Sequence, residues 1–112
     1  MNTSPRTKAR KRSGRCYELC FRGQMQARDW VLVHGTVLDR HITIGHEHAA
    51  RIGHAWLERD GIVYDPVLDE FCDWRAYEAA WSAEAARRFS QEETTREVLR
   101  WNVYGPFEPS AA

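Results

Sequence analysis

The 112-residue chain suits one domain and hardly two, and its 43% hydrophobic content with five tryptophans is enough for one packed core. Its apolar runs are far too short to span a bilayer, no apolar stretch follows the basic N-terminus, and its three cysteines show no paired spacing; a membrane span, a secretory signal and a disulfide framework are therefore not expected, and a reducing, cytoplasmic setting is. The formal charge of zero is lopsided: residues 1–15 hold Arg6, Lys8, Arg10, Lys11, Arg12 and Arg15 and no acid, which leaves the remainder acidic on balance.

Residues 1–13 offer Ser, Pro, Thr and charge but nothing to bury, so a solvated, disordered tail is expected. Weak phosphate contact with nucleic acid through residues 6–15 is the other use such a tail has. A single domain is expected over residues 14–112. Ser13 reads as the cap of a helix whose first turn holds Gly14, Arg15 and Cys16. Cys16, Leu19, Cys20, Gly23 and Ala27 share one face of this helix over residues 16–28. Residues 30–37 read as a strand, with Val31, Val33 and Val37 to one side and Leu32, His34 and Thr36 to the other. Residues 38–50 are polar and histidine-rich, a loop or short hairpin with a β-like patch at 42–44.

Two further strands are expected over 51–59 and 62–68. Asp60-Gly61 between them is a two-residue hairpin signal, because both residues accept positive φ. From Asp73 the period becomes helical, with Trp74, Tyr77, Ala80, Trp81 and Ala85 in one apolar stripe. Ser90 with Glu93 forms a capping box for a last helix near residues 91–101, and Gly105-Pro106 closes it or its extension. The expected fold class is α+β: an N-terminal helix on an antiparallel sheet of three or four strands, covered by two C-terminal helices.

The chemistry concentrates in Gly53-His54-Ala55-Trp56-Leu57-Glu58 and in Tyr64-Asp65-Pro66. A two-residue turn makes Arg59 face Ile62, so Glu58 faces Val63, Trp56 faces Asp65 and His54 faces Val67. Period two then places His54, Trp56, Glu58 and Asp65 on one face, with Asp65 one diagonal step from His54. A carboxylate there fixes the imidazole tautomer and favours the imidazolium. Cys16 in the first turn of a helix has free backbone N–H groups and the helix dipole beside it, which favour a thiolate and can receive an oxyanion. Cys16, His54 and Asp65 are thus the candidate catalytic set, with Trp56 and His34 as candidate substrate-side residues.

Other readings of single residues compete. Cys20 fits the core one turn later, or replaces Cys16 if the helix begins later. Cys72 reads as structural and Glu58 as a surface residue. His46 and His48 near His54 suggest a metal, but no ligand accompanies them except Glu47, which points away; a solvated loop outweighs that reading, and no metal or cofactor is expected.

A cysteine opening a helix, then His-Ala-Trp-Leu-Glu on a strand, then Tyr-Asp-Pro on the next, resembles the transglutaminase-like branch of the papain-like fold over residues 16–67. It also resembles small uncharacterised bacterial or phage proteins with a Cys-Tyr-Glu-Leu start and a His-Ala-Trp strand. The resemblance implies a papain-like core with Cys16 as nucleophile, His54 as base and Asp65 as the orienting acid. It implies a thiol-protease-like hydrolase or an acyltransferase acting on a peptide or other amide-bearing substrate. The rival expectation is a non-catalytic module on the same fold, which binds a protein or nucleic acid with help from the basic tail.

Overall fold

The computed structural model describes residues 15–39 and 50–107. The Ser13 cap, the basic residues before Arg15, the 42–44 patch and His46, Glu47 and His48 lie outside them. Helix α1 spans Cys16–Gln26, followed by strands β1 Val31–Asp39, β2 Ala50–Arg59, β3 Ile62–Asp65 and β4 Glu70–Asp73, helix α2 Trp74–Trp81, strand β5 Glu84–Phe89 and helix α3 Gln91–Trp101. The fold is α+β, with one five-stranded antiparallel sheet in the order β4-β3-β2-β1-β5 and three helices among the described residues. No helix among these residues is long and apolar enough to cross a membrane.

The alternation in β1 and β2 sorts the core into two layers. Cys16, Cys20, Leu32, Ala55, Leu57, Phe89 and Phe107 pack on the face that α1 covers. Val33, Val37, Trp56, Val63, Tyr77 and Ala83 fill the other, under α2. Helix α1 approaches the sheet closely: a Cβ on Gly23 would stand 3.1 Å from a Leu57 methyl. The buried Gln24 amide ties the helix down by donating to the carbonyls of Trp30, 3.0 Å, and Phe89, 2.9 Å.

Several expected elements change. Helix α1 begins at Cys16, with Arg15 at the N-cap and no side-chain cap, so Arg15 is not in its first turn; Gly14 lies outside the described residues. The second hairpin strand stops at Asp65 rather than at 68, because the Asp65 side chain caps a turn over the following residues. Residues 70–73 then form β4, an edge strand too short to show a period. The Trp74 helix ends at Trp81, where Ser82 adopts left-handed φ of 49° and reverses the chain. Ala85 therefore belongs to β5 and not to the helical stripe, although Glu-Ala-Ala-Arg-Arg has helical preference. Pairing with β1 overrides that preference. The Asp60-Gly61 turn has the expected positive φ at both residues, 51° and 79°. The Ser90–Glu93 capping box starts α3, and Asn102 in the left-handed region ends it.

Candidate active site

The hairpin register follows from its turn: Arg59 pairs with Ile62, Glu58 with Val63 and Leu57 with Tyr64. The two strands then part. Asp65 pairs instead with Glu70 of β4, so the expected Trp56–Asp65 and His54–Val67 pairs are not in the register. Asp65 nonetheless reaches His54: Nε2 of the imidazole lies 2.8 Å from Oδ2, with side chains only 12% and 5% exposed. The same Oδ2 accepts from the Tyr77 hydroxyl at 2.7 Å. The other oxygen, Oδ1, accepts from the backbone N–H of Val67 at 2.9 Å and of Leu68 at 3.4 Å. The Cys16 thiol lies near enough to the same imidazole to favour its charged form. With Nε2 engaged by Asp65, Nδ1 is the ring nitrogen left for the thiol. The structure thus brings Cys16, His54 and Asp65 together.

Electrostatics favour a charged pair at the ring. Burial alone would lower the His54 pKa; the hydrogen bond that the ring donates to Asp65, the Asp65 charge and the neighbouring Cys16 sulfur overcome it and hold the group up at about 9. Burial would likewise raise Asp65, but the His54 hydrogen bond and charge, the Tyr77 hydroxyl and the Val67 N–H hold it below the usual carboxylate range. The Tyr77 phenol is pushed far up by burial and by Asp65, so it stays protonated and donates. Cys20 is fully buried, and burial followed by the charges of Asp65 and Cys16 pushes its thiol well up, which suits a core residue. Cys72 is also raised, by burial and then by Asp73, Asp65 and Glu70. All three cysteines are free.

Cys16 is the first helical residue, and the first α1 backbone bond of this end runs from Leu19 N–H to the Arg15 carbonyl. The N–H groups of Cys16, Tyr17 and Glu18 therefore have no acceptor within the helix, and the positive end of its dipole lies beside the sulfur. That is where a tetrahedral oxyanion on Cys16 would need donors.

Trp56 and His34, expected beside the substrate, are 0% and 7% exposed and present almost no surface. Trp56 packs on Trp74 and Tyr77 with ring centroids 6.0 and 5.4 Å away, and its indole N–H donates to Glu58 at 3.2 Å. Glu58, expected at the surface, also accepts from Arg88 at 3.1 Å. Trp56 backs the His54 ring from the core side, 6.3 Å between centroids. Sequence reasoning placed Tyr77 in an apolar stripe and missed its bond to Asp65. Its only signal is a phenol where a phenylalanine would fill the same space.

His34 lies on the opposite sheet face, caged by Tyr17, Phe89 and Phe107 with centroids 4.8, 5.0 and 4.9 Å away. Its Nε2 has no hydrogen-bond partner. Burial, then the Arg87 charge, lowers its pKa from 6.5 to about 4. Because the native pKa is depressed, the neutral ring's contribution is complete above pH 6.5 and is lost as pH falls towards 4, on the order of 3 kcal/mol. A His34→Leu protein should lose less stability across that interval, measured by urea unfolding as pH is lowered; equal losses in both proteins would show that His34 is not the acid-sensitive group. No protein-family model, curated protein or solved structure matches this chain.

Proposed function

We propose that the chain is a cysteine-dependent acyl-transfer enzyme of the transglutaminase-like, papain-like kind, acting on an amide bond, with hydrolysis as the default outcome. The carrying observation is the single buried imidazole that hydrogen-bonds Asp65 on Nε2 at 2.8 Å and feels the Cys16 thiol, which stands at the first position of α1. Cys16 Sγ attacks the amide carbonyl carbon, and the thiol proton resides on His54 Nδ1. The oxyanion takes hydrogen bonds from the N–H groups that open α1. The C–N bond breaks as His54 returns that proton to the leaving amine. Water, deprotonated by His54, then attacks the thioester and releases a carboxylic acid and the free thiol. An amine in place of water would give transfer. Asp65 holds the imidazole in the required tautomer throughout.

The test is covalent trapping. Iodoacetamide near neutral pH should modify Cys16 faster than Cys20 and Cys72, read by peptide mass spectrometry, and His54→Ala should slow it by about tenfold or more. p-Nitrophenyl acetate should give a burst of nitrophenol and an acetyl group on Cys16 that Cys16→Ser abolishes. Equal alkylation of the three cysteines, with no acetyl-enzyme, would overturn the proposal.

A further inference from the structure

We propose that Tyr77 is a positioning residue for His54: its buried hydroxyl pins the carboxylate oxygen of Asp65 that holds the imidazole, an assignment that rests on the triad reading above. The carboxylate is held from three directions. Oδ1 is fixed by the turn through the N–H groups of Val67 and Leu68. Oδ2 receives His54 from β2 at 2.8 Å and Tyr77 from α2 at 2.7 Å. A carboxylate gripped on both oxygens cannot rotate about its Cβ–Cγ bond without losing donors, so the bearing of the His54 ring follows from where α2 and the turn sit.

Helix α2 is itself registered. Its cap Asp73 accepts from the Ala76 N–H at 2.9 Å, and the Trp74 N–H bonds the Gly61 carbonyl at 2.9 Å. Tyr77 is 2% exposed, so its hydroxyl has no water to fall back on. A phenylalanine would fill the same volume without a polar atom to satisfy, so the hydroxyl is there for Asp65. The other ionisable groups that act on this cluster are thiols. Cys20 on α1 and Cys72 on β4 both act on Tyr77, and both feel Asp65. Both have raised pKa values and stay neutral, so the balance at the ring is left to Asp65, Tyr77 and Cys16.

Oδ2 shares its negative charge between two donors. In Tyr77→Phe the whole charge faces His54, and the imidazolium is held harder. The titration of His54 should therefore rise by about 0.5 pH unit, roughly a threefold gain in proton affinity, followed through the imidazole nitrogens by NMR. The measurement belongs in full-length Cys16→Ala protein, so that no thiol titrates beside the ring. In a Cys16→Ala, Asp65→Asn background the same substitution should leave the titration unmoved, because Tyr77 acts only through the carboxylate. A midpoint that stays or falls in the first background, or an equal rise in the second, overturns the proposal. Loss of stability alone does not bear on it, since any broken buried hydrogen bond gives that. The outcome is separable from the enzymatic reading: an unreactive Cys16 would remove the reaction and leave the Tyr77–Asp65–His54 coupling to be decided by the titration.

Discussion

In Asp65→Asn, His54 should titrate below 6.5 rather than at about 9, and Cys16 should lose about tenfold or more of its alkylation rate near neutral pH. The reason lies in donors and acceptors. The Asp65 carboxylate accepts four hydrogen bonds and donates none. An asparagine must place an NH2 on one side. Turned towards Val67 and Leu68, it sets N–H against N–H. Turned towards Tyr77 and His54, it lets the phenol reorient and accept, but forces His54 Nε2 to accept as well. The imidazole then carries its proton on Nδ1, the nitrogen left for the thiol, and can no longer take one from Cys16. Burial, no longer opposed by a carboxylate, drives the ring pKa below its ordinary value.

The same substitution has a signed pH signature in stability. His54 has a raised native pKa, so its contribution is complete below pH 6.5 and disappears as pH rises through about 9. Asp65 has a lowered native pKa, so its contribution is present above 3.8 and disappears as pH falls through the native value. The stability gap between the wild type and Asp65→Asn should thus be widest between those limits, on the order of 3 kcal/mol, and shrink in alkali. Urea unfolding at about pH 5.5 and about pH 9.5 measures it. A gap of one size at both values would mean that the buried pair is not an ion pair.

The parts of this site legible in the sequence are those set by short-range rules. Asp60-Gly61 demands a two-residue turn, the turn sets the register, and the register brings the strand of His54 alongside that of Asp65. Ser90 and Glu93 likewise announce α3, because capping is a local bond. The failures are long-range. The parting of β2 and β3 after Leu57 and Tyr64 depends on Asp65 turning to serve two backbone N–H groups of its own turn. That same turn creates β4, whose four residues carry no usable period. The Ala-rich start of β5 becomes a strand only because β1 offers it an unpaired edge. The Tyr77 bond spans 12 residues and two elements, so a hydrophobic stripe accounts for the side chain without revealing the hydroxyl.

Gly35→Ala should be among the most destabilising single changes in the chain, by about 3 kcal/mol or more, because two backbones and a tryptophan meet there. Between His34 and Gly35 the β1–β5 register slips: His34 pairs with Arg87 and Gly35 with Ala85, which leaves Ala86 as a bulge. The slip turns Ala85 and Arg88, three apart, to one face, and draws β5 in over Gly35. A Cβ at Gly35 would overlap the Glu84 carbonyl oxygen, stand 2.8 Å from the Trp56 ring and 3.0 Å from the Ala85 Cα. The carbonyl and the Cα belong to a paired strand and cannot yield without breaking the ladder. Trp56 cannot yield without pressing on Tyr77 and Trp74. Relief of the clash therefore moves either the edge strand or the wall behind His54. Gly61→Ala is the matched control: its φ of 79° is unfavourable for alanine, but nothing lies within 4 Å of the added methyl, so only backbone strain of about 1 kcal/mol is expected. Urea unfolding of the two variants should differ by about 2 kcal/mol or more, and Gly35→Ala alone should also slow alkylation of Cys16 while still folded. Equal stability losses would mean that β5 is not seated on β1 as described, and the wall behind the imidazole would have to be rebuilt from other residues.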